Sequence, residues 1–365
     1  MCKSIKVLHI ITSLEYGGAQ ELLYRLALGN NKHLDCSIIS LFDGGGPYKS
    51  MLEENGIKVI TVDSSNLLTI MKLIINHYHS YKPKIVQTWM YHADFIGLIL
   101  SIISKKHKLV WSLHHADPKK NKLLTKVIVT ICKCFSKSIP DRIVACSYKT
   151  YDSHIEYGYS KKNMVVIENG VNFNKFTRSP VQYNYKDKPI IIGNIARWHP
   201  IKGQKYFIKM ASDLIRLDDD YIFVMVGTNM DWDNNELVSL LDNYGVREKF
   251  YLLGERDDIS SILNIFDIFV SSSVDESFSL SLVEAIACRV LSISTNTGIA
   301  EEVLANDICI VDNPKNLSNS VLSLMSMTED KISTIKNESF NLAKNKFNEQ
   351  KMLDNYYALY QTLNN

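Results

Sequence analysis

Two carboxylates, Glu276 and Glu284, stand eight positions apart in the mostly apolar stretch VDESFSLSLVEA. A carboxylate accepts hydrogen bonds from sugar or ribose hydroxyls and needs no metal to do so. With Glu276 in a loop and Glu284 about one turn into the following helix, both point to one side. As isolated residues they read first as a helix-start acid favoured by the dipole and a surface carboxylate. SLVEAIA argues against that, because Glu284 interrupts a buried face and a buried carboxylate requires a partner. Upstream, GNIARWHPIKGQ sets Arg197 and Lys202 at the end of a strand and in the turn after it. Two cations beside a helix start neutralise a diphosphate, Arg as a fork and Lys as a point charge; the alternative is a solvated pair of charges.

Similar features recur near the amino terminus. In EYGGAQELLYRLA a strand ends at Gly17 and Gly18 and a helix begins at once, so backbone N–H groups and the positive helix end face an anion or a substrate's reacting end. The spacing is not G-x-G-x-x-G, which excludes the nicotinamide dinucleotide signature. In VWSLHHADPKK, His114 and His115 follow a strand directly, where an imidazole contacts a substrate hydroxyl or relays a proton, although a lone histidine is usually structural. Asp231-Trp232-Asp233 is formally a D-x-D, but its polar setting reads as a loop or helix cap rather than a metal site.

The elements that hold these residues follow from the hydrophobic pattern. KVLHII, CSIISLF, IKVITV, KIVQTW, KLVWSL, RIVACS and MVVIE are strand-like, with helical stretches such as 19–28, 48–55 and 67–81 between most of them. Residues 173–189 break the rhythm and read as a linker. It restarts with IIIGNIA, YIFVMVG, FYLLG, DIFVSSS and VLSIST, separated by helices near 203–217, 234–243, 259–266 and 280–287. Strands alternating with helices imply parallel sheets covered on both faces, hence an α/β fold of two such units. The expected domains are 1–172, then the linker 173–189, then 190–348, with a last helix at 349–365 crossing the junction. Ligands of paired units of this kind bind at the carboxyl ends of the strands, in the cleft between them.

At 365 residues, 46% hydrophobic and 22% charged, the composition is that of an ordinary globular protein of two domains. Seven scattered cysteines without metal-ligand spacing favour a reducing compartment. The opening apolar run is ended by Glu15 and the glycines, too early for a signal peptide, and FIGLILSII at 95–103 is too short to span a bilayer. Residues 1–172 carry 22 Lys/Arg against 13 Asp/Glu, a charge of +9, and the remainder carries −7. The basic half invites anionic partners. Its lysine-rich segment 119–137, with Lys122, Lys126 and Lys133, resembles a basic amphipathic helix able to rest on an anionic membrane surface, or else an ordinary surface helix. Nucleic acid is not an expected partner, since neither a matching motif nor an aromatic platform accompanies the basic residues.

YGGAQ, QTWMYHAD, WSLHHAD, PDRIVACS, IENGVNFNKF, IGNIARWHPIKG, LGERDDI and E-x7-E, in this order, resemble glycosyltransferase family 4, the retaining GT-B enzymes, and more narrowly members that assemble bacterial O-antigen or capsular polysaccharide. The resemblance implies two Rossmann-like domains, an acceptor-binding one followed by a nucleotide-sugar-binding one. It implies that Arg197 and Lys202 hold the donor diphosphate, that backbone N–H groups of Phe278, Ser279 and Leu280 complete its cradle, and that Gly17 and Gly18 approach it. It further implies Glu284 on the ribose, Glu276 on the transferred sugar, the backbone around Glu255 and Arg256 beside the base, and His114, or His115 one residue on, at the donor sugar. The expected reaction moves a hexose or N-acetylhexosamine from a UDP-sugar to a polyprenyl-diphosphate-linked saccharide at the cytoplasmic face of the membrane, with no cofactor and no metal. A nucleotide-sugar epimerase and a binding protein without turnover are the competing classes. The chain departs from the family pattern at Ser279 and Arg289, which stand where glycines are usual, at Leu291, which replaces a proline, and at Glu168, which replaces another.

Overall fold

The computed structural model describes residues 4–29, 33–42, 45–62, 64, 66–120, 122–178 and 189–364. They form two compact units: residues 1–170 with 350–365, and residues 171–349.

In the first unit strands and helices alternate: β1 (Ile5–Ile11), α1 (Gly18–Gly29), β2 (Leu34–Ser40), α2 (Gly46–Glu54), β3 (Lys58–Thr61), α3 (Leu67–Tyr81), β4 (Ile85–Trp89), α4 (Tyr91–Ile103), β5 (Lys108–Leu113), α5 (Leu123–Phe135), β6 (Arg142–Ala145), α6 (Tyr148–Tyr157) and β7 (Met164–Val166). The strands form one parallel sheet in the order β3-β2-β1-β4-β5-β6-β7. Every residue of β4 is buried, the mark of a parallel strand covered on both faces. Local chemistry sets the helix ends. Ser147 caps α6 through a bond from Thr150 N at 3.1 Å, and Gly158 closes it in the left-handed conformation that glycine takes without a steric penalty.

The second unit repeats the plan with β8 (Ile190–Ile195), α7 (Gln204–Ile215), β9 (Tyr221–Val226), α8 (Asn235–Tyr244), β10 (Phe250–Leu252), α9 (Ile259–Leu263), β11 (Ile268–Ser271), α10 (Leu280–Ala287), β12 (Leu291–Thr295), α11 (Ala300–Val303), β13 (Ile310–Val311), α12 (Leu317–Met325) and α13 (Glu329–Lys346). Its parallel sheet runs β10-β9-β8-β11-β12-β13. The expected α/β fold with two parallel sheets is what the chain adopts. β13 is the strand the pattern missed; two residues carry no readable period.

The first residues of the segment read as a linker belong to the second unit's core. Phe173 and Phe176 are buried in the second unit's core, and Phe173 packs edge-on against Phe340. Aromatic residues among polar ones proved to be core anchors, while 179–188 lie outside the described residues. The last helix, α14 (Glu349–Asn364), returns residues 350–365 to the first unit, where Met352, Leu353, Tyr356, Tyr360 and Leu363 complete one of its two apolar clusters. Tyr360 Oη donates to Gln87 Oε1 on β4, and Gln87 Nε2 donates to Ser112 Oγ on β5 at 2.7 Å.

Candidate active site

In an open parallel sheet the ligand crevice lies beyond the strand carboxyl ends where chain order reverses. In the second unit that point is between β8 and β11, and the residues singled out in the sequence follow these two strands. Gly203 ends the turn after β8 with φ 64°, and a Cβ there would come 2.1 Å from Ser272 O, so only glycine lets this turn press against the strand end of β11. Val274 N donates to Ile201 O at 2.8 Å and Ser272 Oγ to Lys202 O at 3.0 Å. The two loops are one tied structure.

On that base Lys202 Nζ meets Glu276 Oε1 at 2.5 Å, and Ser273 Oγ donates to the same oxygen at 2.8 Å. The ion pair is partly buried, with side-chain exposures of 23% and 12%, which strengthens it beyond a solvated surface pair. Arg197 is exposed, and its carbonyl is held by Gln204 Nε2 at 2.8 Å. Phe278 is buried and packs edge-on against Phe347; Ser279 is the N-cap of α10, and Leu280 opens that helix. Glu284 falls on the first turns of α10 and is buried at 7% exposure, so the surface-residue alternative is excluded.

The loop after β10 stands apart from this cluster, because β10 is the sheet's edge. There Thr228 Oγ1 donates to Glu255 Oε2 at 2.6 Å, while Arg256 makes a two-pronged bond to Asp258 at 2.8 Å. That bond raises the Arg256 pKa above its ordinary value. Asp231 Oδ1 accepts from Asp233 N at 3.1 Å, and Asn234 Oδ1 caps α8 through Leu237 N. The D-x-D is thus built into the turn that starts a helix. Among the described residues no three His, Cys, Asp or Glu side chains cluster as a metal site.

The first unit reverses chain order between β1 and β4. Gly17 accepts from Glu21 N at 2.9 Å and Gly18 is the exposed first residue of α1. His114 follows β5 and stacks on Trp89 at 5.3 Å and 17°. Trp89 Nε1 in turn donates to His9 Nδ1 at 3.2 Å. Burial, helped by neighbouring His115, lowers the His114 pKa to about 3, so its ring is neutral near neutral pH and offers one donor and one acceptor. His115 stacks on Tyr91 at 4.6 Å and 19°, and Tyr91 Oη lies 2.7 Å from His154 Nε2. Each candidate histidine therefore has a fixed ring plane.

A hollow of about 550 Å³ at the opposite end of this sheet is lined by Lys84, Lys105, Lys106, Lys108 and Asp141; it lies at the starts of β4, β5 and β6, away from the histidines. Lys122, just before α5, and Lys126 on it are exposed beside Leu123, Leu124 and Val127, which are 81%, 71% and 49% exposed, whereas Lys133 Nζ lies over the Tyr157 ring at 4.9 Å. No described helix is long and apolar enough to cross a membrane.

Sequence reasoning overlooked Ser272, Ser273, Thr297, Trp89 and Tyr91, which tie, flank or stack the singled-out residues. The run SSS at the end of β11 was the available signal, since three hydroxyls at a strand's carboxyl end have no packing purpose.

Comparison with known proteins gives this geometry its context. Residues 16–175 match Glycosyltransferase Family 4, and residues 175–339 match Glycosyl transferases group 1. The UDP-Gal:alpha-D-GlcNAc-diphosphoundecaprenol alpha-1,3-galactosyltransferase of Escherichia coli is 24% identical, over 98% of this chain and 96% of its own. An uncharacterized 41.2 kDa protein in the cps region of Klebsiella pneumoniae is 23% identical, over 98% of this chain and 100% of its own. The crystal structure of Anabaena HepE in complex with UDP-glucose has a TM-score of 0.84 at 20% identity, covering 98% of this chain and 100% of that one. The two matched spans together run from residue 16 to residue 339, and the chain belongs to the glycosyltransferases, with a family 4 domain followed by a group 1 domain on the GT-B fold.

Proposed function

We propose that this glycosyltransferase moves a hexose or N-acetylhexosamine from a UDP-sugar to a polyprenyl-diphosphate-linked saccharide in bacterial surface-polysaccharide synthesis, with retention of anomeric configuration. The observation that carries the reading is the Lys202–Glu276 pair held across the switch point by Ser272 and Ser273. The Escherichia coli relative acts on this class of donor and acceptor, and the Klebsiella relative comes from a cps region.

In this reading the leaving diphosphate gathers negative charge as the glycosidic bond breaks. Lys202 and Arg197 neutralise it, and the amino end of α10, through Phe278, Ser279 and Leu280, adds its dipole. Glu276 keeps the Lys202 ammonium aimed and accepts from the transferred sugar's hydroxyls, while Glu284 accepts from the ribose hydroxyls. The loop holding Glu255 and Arg256 flanks the base. In the first unit, Gly17 and Gly18 offer backbone donors, and neutral His114 hydrogen-bonds a donor-sugar hydroxyl, with His115 beside it. Attack comes from the face that the diphosphate leaves, and the diphosphate assists in deprotonating the acceptor. Rate then derives from positioning and from charge stabilisation. No cofactor or metal enters this scheme.

The acceptor is lipid-linked, and α5 supplies the membrane contact: exposed Leu123, Leu124 and Val127 enter the lipid boundary while Lys122 and Lys126 meet anionic headgroups at the cytoplasmic face. A panel of UDP- and GDP-sugars with lipid-diphosphate acceptors, read by product mass and anomeric coupling, tests the proposal. A retained-configuration product from a UDP-sugar is expected. Inverted product, a free sugar isomer formed without acceptor, or activity abolished by chelator and restored by a divalent cation overturns the corresponding part.

A further inference from the structure

Ser279 stands at φ 83° and ψ 78°, a conformation that costs an L-residue free energy and that glycine takes freely. A serine at an N-cap ordinarily recovers such a cost by accepting from the second or third helical N–H. Here it makes no side-chain cap bond, and its Oγ is buried without a hydrogen-bond partner in a residue only 8% exposed. Arg289, at φ 55°, is a useful contrast. Its guanidinium lies 4.0 Å over the Phe340 ring and donates to Asn337, so its side chain is occupied within the fold. Ser279 has no such occupation.

A second hydroxyl shares this property. Thr297 Oγ1 is buried without a partner in the loop after β12, the strand beside β11. Gly298 next to it, at φ 60°, rests against the 276–278 loop so closely that a Cβ would lie 2.7 Å from Phe278 O and 3.1 Å from Glu276 Cβ. The two orphaned hydroxyls thus lie on adjoining loops beside the Lys202–Glu276 pair, with the N–H groups of the first turn of α10 among them. Buried polar groups in folded proteins find partners, and two that do not, one at the amino end of α10 and one on the loop packed against the 276–278 segment, are set for an external acceptor. An anionic oxygen suits hydroxyl donors and helix dipole together.

We propose that Ser279 Oγ and Thr297 Oγ1 are a hydroxyl pair that donates to the sugar-proximal phosphate of the donor, so that the chain reads the second phosphate with side chains as well as backbone. This rests on the nucleotide-sugar reading above.

Titration calorimetry with UDP and UMP on the wild type, Ser279→Ala, Ser279→Gly and Thr297→Val tests it. Ser279→Ala keeps the backbone conformation and loses the hydroxyl; Ser279→Gly loses both the hydroxyl and the strain. UDP affinity is expected to fall about tenfold or more in all three variants while UMP affinity moves by less than about twofold. Ser279→Gly is expected to melt higher than the wild type and still bind UDP as weakly as Ser279→Ala. UDP binding by Ser279→Gly equal to the wild type, or equal losses for UDP and UMP, overturns the inference and leaves the functional reading standing. A wild type that binds neither nucleotide overturns both.

Discussion

The strand ends of the two units solve different problems with different materials. In the second unit the residues are charged and tied: Lys202, Glu276 and the serines behind them form one hydrogen-bonded block whose loops are stapled by backbone bonds. In the first the residues are aromatic, with His114, held neutral by burial, on Trp89 and His115 on Tyr91, each held by ring stacking over buried polar partners. The difference suits the ligand ends that the reading proposed above gives to each. A diphosphate demands fixed positive charge, whereas a sugar or an acceptor hydroxyl demands direction, which a stacked neutral imidazole supplies without a charge that would compete for the phosphate.

The largest test of that contrast is catalytic. Lys202→Ala is expected to lower kcat/KM by about 10²–10³-fold, the range seen when one donor to a developing anion is removed. His114→Gln, which loses one neutral hydrogen bond, is expected to cost only about tenfold, with a flat dependence on His114 ionisation between pH 5 and 8 because that ring titrates at about 3. Equal losses at the two positions would erase the distinction. Next in size is Gly203→Ala. Its Cβ meets the Ser272 carbonyl at 2.1 Å and its φ is positive, so a destabilisation of about 3 kcal/mol is expected in denaturant unfolding of the second unit. A change under about 0.5 kcal/mol would mean that the tied loops yield easily.

Acid should separate the units. His9 and His154 are fully buried, and burial lowers their pKa values to about 3 and about 4. An unfolded histidine takes up its proton near 6.5, so below that pH the unfolded chain binds protons that the folded first unit refuses, and stability falls as pH falls. At pH 5 each ring costs about 2 kcal/mol. The second unit holds one histidine, exposed His199. The expected result is an early red shift of fluorescence from Trp89 and Trp111, which are fully buried in the first unit, and its delay in His9→Gln. The smallest effect is at α5. Lys122→Gln and Lys126→Gln should each weaken binding to anionic vesicles by about 1 kcal/mol, and Lys133→Gln by less, since its ammonium is over Tyr157. Three equal losses would assign that contact no role.

How much of this was readable in advance divides along the same line. The α/β fold of two parallel sheets was legible because buried parallel strands write continuous apolar runs, and KIVQTW or DIFVSSS admit few other readings. The charged residues were legible by type and position after strands. The pairing of Lys202 with Glu276 was not, since 74 residues separate them and the tie depends on the close approach that Gly203 permits. Ser272 and Ser273 were passed over as strand ends, and Phe173 and Phe176 were taken for linker because two aromatic residues in a polar run carry no period. Trp89 and Tyr91 are core, and their stacking on histidines emerges only when β4 and β5 lie side by side.

The return of residues 350–365 to the first unit has a consequence for biosynthesis. The ribosome delivers residues 1–170 early, yet Tyr356 and Tyr360 fill that unit's core and Gln87 waits for the Tyr360 hydroxyl. The first half of the chain therefore cannot finish folding until the last helix has emerged, while residues 171–349 are contiguous and can close as soon as they are free. The unit begun first is completed after the second, and a chain cut within α14 would leave a closed second unit attached to an unsealed first one.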